Sequence, residues 1–550
     1  MKLFLIFGIF SAATFLLFVH SLNAEAVSTE NLSFEQWCLQ KKSLSPETKN
    51  TIDVLLKKSG TQDCKAADKN LNSLSELKLE KNQISDIRPI ASLKNLTKLG
   101  LDNNQISDIQ PIASLKKLTG VYLSSNQIKD IKALENLVAL NEINLNSNRI
   151  SNIEPLKNLT KLIILNLHGN SITNVQPLQK LKNLSVLSLS KNQIKDIKPI
   201  AGLINLKVLW LYGNQISNIK PLASLNRLSR LELHQNQISD INSLQDLKSL
   251  TLLSLSENRI SNIKSLSSLT NLISLYLSNN QISDIQALAS MPGLYRLELH
   301  QNKISNINPL SGLFTLRSLT LFDNQVNDIR PLEKLYSLTE LWLSSNKISN
   351  IKPLANIINL NTLYLSNNQI SDLQPLSSLI GLNKLYLYNN EISDLKPLSS
   401  LTKLSELGLI SNQIGNIKPL SSLTNLTLLE LNDNQISDIN PLASLTNLNH
   451  LSISKNQVSN IKPISSLAKL KFLNLLGNEI VEITPLVDLT NLIELDLSGN
   501  RIQDIKPLSR LTKLTKVSLQ GNRISQQPCP IQPESICDFL APASLPNPLN

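Results

Sequence analysis

Large aromatic residues are scarce in this chain: phenylalanine, tyrosine and tryptophan make up only 4% of its 550 residues. That scarcity excludes a globular core built around rings and leaves a layered core of branched aliphatics. Cysteine is scarcer still. Its four copies, Cys38, Cys64, Cys529 and Cys537, fall in two terminal groups and leave residues 65–528 without a thiol. No P-loop, HExxH, GxSxG or Gly-rich dinucleotide fingerprint occurs, so no common catalytic or nucleotide-binding machinery is indicated. The formal charge of +11 and pI of about 9.2 are spread over the whole length, a weak field that does not point to nucleic acid.

Only one apolar run is long enough to matter for targeting. Lys2, the stretch Leu3–Val19 and the small-residue triplet Ala24-Glu25-Ala26 read as an export signal cleaved after Ala26 or Ala24. The alternative is an uncleaved anchor, because an apolar run of this length is near the lower limit for spanning a bilayer. No Cys follows it to accept a lipid, and no apolar stretch near the C-terminus suggests a sorting tail or second span. The expected mature chain is exported to a periplasmic, extracellular or cell-surface location, with no transmembrane span.

What the chain has in abundance is repetition. The unit LxxLxxLxLxxNxIxDIxPLxx recurs every 22 residues, its Asn falling at Asn82, Asn104 and onward to Asn522, which makes 21 units without insertion or deletion. Such self-similarity must be read before any other signal, and it replaces the three or four globular domains that length alone would suggest. In the unit at Asn82, Leu77 and Leu79 alternate with polar residues, as in a short strand with one face inward. The Asn is placed to turn the chain inward and to hydrogen-bond adjacent turns, since a buried amide must find partners. Ile84, Ile87, Ile90, Leu93 and Leu96 add aliphatics to the core, and Pro89 forbids a long helix in the return segment, leaving it extended or 3₁₀. Asp86 can cap the local turn. The expected fold is an α/β-type repeat solenoid of about 21 turns: a curved arc with a concave parallel β-sheet and an extended or 3₁₀ convex side, roughly 100 Å along its contour.

A solenoid needs both ends covered. Residues 27–70 depart from the repeat and are read as an N-terminal cap. In it, Ser45 is the N-cap of a short helix, Pro46 takes its first position and Gly60 closes it, with Phe34 and Trp37 beside Cys38. Residues 71–527 are the solenoid, and 528–550 a C-terminal cap with a Pro-rich, disordered tail. Four cysteines allow three pairings. Caps at opposite ends of a rod cannot meet, which leaves Cys38–Cys64 and Cys529–Cys537 and removes a four-cysteine zinc site.

The pattern is that of leucine-rich repeats, and its 22-residue NxIxDIxPL form resembles the secreted bacterial internalin type over about 450 residues. The resemblance implies a repeat arc that binds another protein through its concave face. The chain departs from the typical internalin in lacking a wall-sorting tail and in carrying cysteines in its caps, so host-cell invasion is not carried over.

Inward positions are committed to packing, so functional information must lie six, four and two residues before each Asn, on the exposed sheet face. There Trp342, Tyr364 and Tyr386 occupy one column on consecutive turns, with Tyr388 beside the last, Phe322 one turn earlier, and Trp210, Tyr212 and Tyr276 upstream. Exposed aromatics of this kind make binding hot spots; the competing reading is that rings merely pair well across strands. Arg230, Glu232 and His234 fill the three positions of one turn, and Arg296, Glu298 and His300 fill those three turns later. At about 4.8 Å per turn the two sets are roughly 14 Å apart, too far for a shared metal, and neither supplies a nucleophile. They read as polar contacts or neutral surface flanking Tyr276. Arg88, Lys198, Lys396 and their equivalents before the Pro form a basic ridge partly neutralised by Asp residues, which reads as a solvated face.

The expected activity is therefore non-enzymatic protein binding by a monomer without metal or cofactor. Surface-glycan binding and a structural spacer are the alternatives.

Overall fold

The structure, a computed structural model, describes residues 32–525 and 528–539. The expected export signal and the Pro-rich tail lie outside the described residues.

Each repeat contributes one three-residue strand, from β1 (Glu76–Lys78) to β21 (Lys516–Ser518), and each pairs in parallel with the next at a register of one 22-residue unit. Leu77 faces inward in β1, and its equivalents do so in every turn, at 0–2% exposure. Immediately after the strand the residue before each marker Asn takes a positive φ, as at Ser345, Asn367 and Asn389. This left-handed residue reverses the chain into the return segment.

The marker Asn then joins turns together. Asn126, for example, donates through Nδ2 to Leu123 O and Ser124 O of its own turn and to Leu101 O of the turn before, while its Oδ1 accepts from Ile106 N. Each side chain thus satisfies backbone groups that a narrow, buried bend would orphan. The return segments are 3₁₀ turns such as Arg88–Ser92 and Lys506–Arg510, with Pro near the start. Asp86 caps the first of them, accepting from Arg88 N at 3.0 Å, and Asp394 repeats this with Lys396 N at 2.8 Å.

Three helices close the N-terminal end: α1 (Phe34–Leu39), α2 (Pro46–Ser59) and α3 (Cys64–Asn72). Only α2, capped by Ser45 and closed by Gly60, was legible from spacing. The other two are short, begun by side-chain caps at Ser33 and Asp63, and α3 carries Leu71, where the repeat phase begins. Phe34, Trp37, Ile52, Leu55 and Leu71 are buried against the first turn. Asn50 of α2 donates to Asn82 O at 3.0 Å, and Thr51 donates to Asp86 O at 2.6 Å, so the helix supplies polar partners that a preceding turn would have supplied. Cys38 and Cys64 are bonded, with Cα atoms 5.6 Å apart. At the far end Cys529 and Cys537 are bonded, and β22 (Cys537–Asp538) pairs with β21. It thereby covers the last open strand edge.

Candidate functional site: the exposed face of the sheet

The three exposed positions per turn are not equally exposed. Where a turn carries Ser or Gly, its neighbours' larger side chains lean over it, so that Ser190 is 0% exposed and Ser366 6%. Backbone register places Trp342 opposite Tyr364 and Tyr364 opposite Tyr386. Their rings stack at centroid distances of 4.2 and 4.7 Å, with interplanar angles of 25° and 8°. The stack continues upstream through Phe322, tilted at 6.3 Å from Trp342, to His300, stacked at 4.2 Å on Phe322. Downstream Tyr388 meets Tyr386 edge-on at 5.5 Å. Six rings on five consecutive turns form one continuous ladder. Side chains that fill one another's flanks in this way lose little further rotamer freedom on binding.

The downstream end is anchored by carboxylates that spacing did not reveal. Tyr386 and Tyr388 donate their hydroxyls to Glu406 and Glu430, and Lys384 pairs with Glu406 at 2.8 Å. Burial, reinforced by the bonded carboxylate, pushes both phenols above their ordinary range. Burial works against ionisation of Glu406, but the bonds from Lys384 and Tyr386 outweigh it and hold the carboxyl low. Tyr388 can lie flat only because the next turn carries Gly408, where a Cβ would overlap its ring. Beyond Glu430 the face continues as a depression of about 350 Å³ lined by His450, Phe472, Glu494, Asp496 and Lys516. Glu406, Gly408, Glu430, His450 and Phe472 all occupy the same exposed columns; reading each column against residues 20 or 42 positions on would have found the pairs.

A second, smaller cluster lies upstream. Glu232 accepts from Arg230 Nε at 2.9 Å and from Trp210 Nε1 at 3.0 Å. Tyr212 stacks on His234 at 4.3 Å and reaches back across the turn of Ser190 to bring its Oη 3.4 Å from His168 Nδ1. The two Arg-Glu-His sets, identical in sequence, differ in contacts. His234 leans on the ring before it, whereas His300 stacks on Phe322 after it. Glu232 has its cation, whereas burial pushes the carboxyl of Glu298 up, with Arg296 only partly opposing. Tyr276, between them, stacks on no other ring among the described residues. Also among the described residues, no group of three His, Cys, Asp or Glu side chains could hold a metal ion, and no helix is long and apolar enough to cross a membrane.

Two pH effects follow from these environments. Burial pushes His168, His234 and His300 below the usual imidazole range. The unfolded chain therefore takes up protons first, and the stability these residues contribute is intact above about pH 6.5 and lost as pH falls through their folded-state values. Between pH 7.5 and 5 the unfolding midpoint of a His168→Gln/His234→Gln/His300→Gln variant is expected to fall less than that of the wild type in parallel melts. For Glu298 the sign is opposite, because its folded-state value is raised. Glu298→Gln should be neutral to stabilising at pH 7 and lose that advantage near pH 4, where the carboxyl is protonated in both states.

The repeat architecture and its ladder can be compared with known proteins. The family model "Leucine Rich repeats (2 copies)" matches residues 72–114, 116–158, 160–203, 204–248, 248–290, 270–312, 315–356, 358–400, 446–488 and 490–528. No curated protein sequence matches the chain. Among solved structures, an internalin from Listeria monocytogenes is 39% identical, with 54% of this chain covering 88% of that one at a TM-score of 0.53. The ectodomain of the plant receptor kinase GASSHO1/SCHENGEN3 from Arabidopsis thaliana was solved in complex with Casparian strip integrity factor 2. It is 25% identical, with 83% of this chain covering 62% of that one at a TM-score of 0.65. The functional domain of InlJ from Listeria monocytogenes, 21% identical at a TM-score of 0.52 over 67% of this chain and 75% of that one, shares the fold. With repeat models along most of the chain and an internalin matched over most of its own length, the chain belongs to the leucine-rich repeat family, in its internalin-like form.

Proposed function

We propose that this chain is a non-enzymatic binding module that works outside the cytoplasm and presents the exposed sheet face to another protein. The observation that carries the reading is the unbroken ladder from His300 to Tyr388. Pre-stacked aromatics with hydrogen-bonded hydroxyls are large, rigid and amphipathic, which is what interface hot spots require. Two disulfide-closed caps suit an oxidising compartment. The receptor ectodomain that resembles this chain is one solved with a bound partner.

Stacking also bears on the glycan alternative. Sugars dock on the open faces of rings, and here the faces of Trp342, Tyr364 and Tyr386 are turned on one another, leaving ring edges outward. Ring edges suit apolar side chains of a protein better. A spacer would have no reason to concentrate rings on a few turns.

A pull-down from the exported compartment tests this, using wild type and a Trp342→Ala/Tyr364→Ala/Tyr386→Ala variant. Three truncated anchors should lower partner recovery by at least about tenfold with the fold intact. Equal recovery of every partner by both proteins would sink the reading, and loss of a glycan instead would select the alternative.

A further inference from the structure

The turns that carry the aromatic ladder carry a second apolar row on another surface. Ten residues before the marker Asn, at the end of the return segment, stand Phe314, Tyr336, Ile358 and Ile380 on four consecutive turns. They are 56%, 52%, 58% and 60% exposed. The repeat does not require them: the turns before and after place Thr270, Pro292, Thr402 and Thr424 there, and the other large apolar residues at this position, Val138 and Ile204, are isolated. Single exposed apolar side chains are ordinary; a contiguous row on adjacent turns is not. These four turns are the ones bearing Phe322, Trp342, Tyr364 and Tyr386. Six residues separate the two rows in three of these turns and eight separate Phe314 from Phe322, at most about 28 Å of chain, so one partner of standard footprint covers both.

Charge indicates what that partner is. The chain as a whole is +11, yet its exposed sheet columns carry eleven carboxylates against six Lys and Arg. The excess is strongest from Glu340 onward, where Glu340, Glu406, Glu430, Glu494 and Asp496 face only Lys384 and Lys516. Lys384 is already bound to Glu406. An acidic face on a basic molecule is complementary to a basic ligand and selects against an acidic one.

We propose that the edge row and the ring ladder form one docking surface for a basic protein segment. Its apolar side chains lie on Phe314, Tyr336, Ile358 and Ile380, and its cationic side chains reach Glu340, Glu430 and the carboxylates beyond. The proposal rests on the binding reading above and adds the partner's chemistry and the edge over which it enters.

Fluorescence anisotropy with labelled ten-residue peptides tests it: alternating Lys-Leu, alternating Lys-Gly and alternating Glu-Leu. The protein probed is the wild type or a Phe314→Thr/Tyr336→Thr/Ile358→Thr/Ile380→Thr variant. Thr is the residue that neighbouring turns place at this exposed position, so the variant should keep its melting temperature. Lys-Leu should bind best, should weaken at high salt, and should lose at least about tenfold in affinity with the variant. Lys-Gly should bind weakly and not sense the variant, and Glu-Leu should not bind. Equal binding of Glu-Leu and Lys-Leu, no binding of Lys-Leu, or indifference of Lys-Leu to the variant would overturn the proposal. Sedimentation of the wild type as a dimer that the variant abolishes would overturn it in favour of a second copy. If the variant still captures the partner that the ring-truncated protein loses, the binding reading stands and this one falls.

Discussion

Asn192→Ala is expected to lower the unfolding free energy by about 3–5 kcal/mol, among the largest effects available to a single substitution in this chain. Asn192 is 8% exposed. Its Oδ1 accepts from Ile172 N at 2.9 Å, and its Nδ2 donates to Leu167 O, Leu189 O and Ser190 O at 3.0, 3.0 and 3.2 Å. Alanine leaves one donor, Ile172 N, and two acceptors, Leu167 O and Leu189 O, to find partners at a bend with little room for water, while Ser190 O keeps its bond from Gly169 N. Each such group that stays unsatisfied costs about 1–3 kcal/mol. Asn192→Asp should cost at least as much at neutral pH, because it sets a carboxylate oxygen against three carbonyls. The damage is also positional. In a solenoid each turn is stabilised by its neighbours, so weakening one interface in the middle separates two arrays. Guanidinium unfolding followed by circular dichroism should therefore show a lower midpoint and a split or broadened transition. A single sharp transition displaced by less than about 1 kcal/mol would contradict this account of the Asn.

Gly408→Ala is expected to abolish most partner binding while scarcely affecting stability. A Cβ at this position would come within 2.6 Å of Tyr388 Oη and overlap the ring, so Tyr388 must swing away. The ring is free to move, because it lies on the exposed face, and the cost is its bond to Glu430 and its edge contact with Tyr386, about 1 kcal/mol. The geometry of the ladder's end, however, is lost. Partner recovery should drop about tenfold or more, matching Tyr388→Ala. Freed of burial and its carboxylate, the Tyr388 phenol should return to titrating near about 10, visible as one more tyrosine ionising in an ultraviolet absorbance titration. Unchanged recovery together with an unchanged titration would mean that Tyr388 is not held over Gly408.

These two residues also separate what was readable in the chain from what was not. Asn192 is legible at once: it recurs every 22 residues, and a polar residue that recurs inside a hydrophobic period must be satisfied by backbone. The same holds for Leu and Ile positions, for the Pro that limits the return segment to 3₁₀ turns, and for the Ser45-Pro46 start of α2. Gly408 is invisible by this logic. Its importance comes from Tyr388, 20 residues earlier, whose ring crosses it to reach Glu430, 42 residues on. The helices α1 and α3 were missed for a related reason, being too short for periodicity and begun by side-chain caps rather than by Pro.

By itself, then, the sequence determined the turn, its length, its inward residues and the column on which Trp342, Tyr364 and Tyr386 align, because a strict period turns chain distance into spatial distance. Only the tertiary structure decided how side chains on that column lean. Rotamers on an exposed face answer to the residues of adjacent turns. Identical Arg-Glu-His sets therefore took different partners, and three separate aromatics became one ladder reaching from His300 to Glu430.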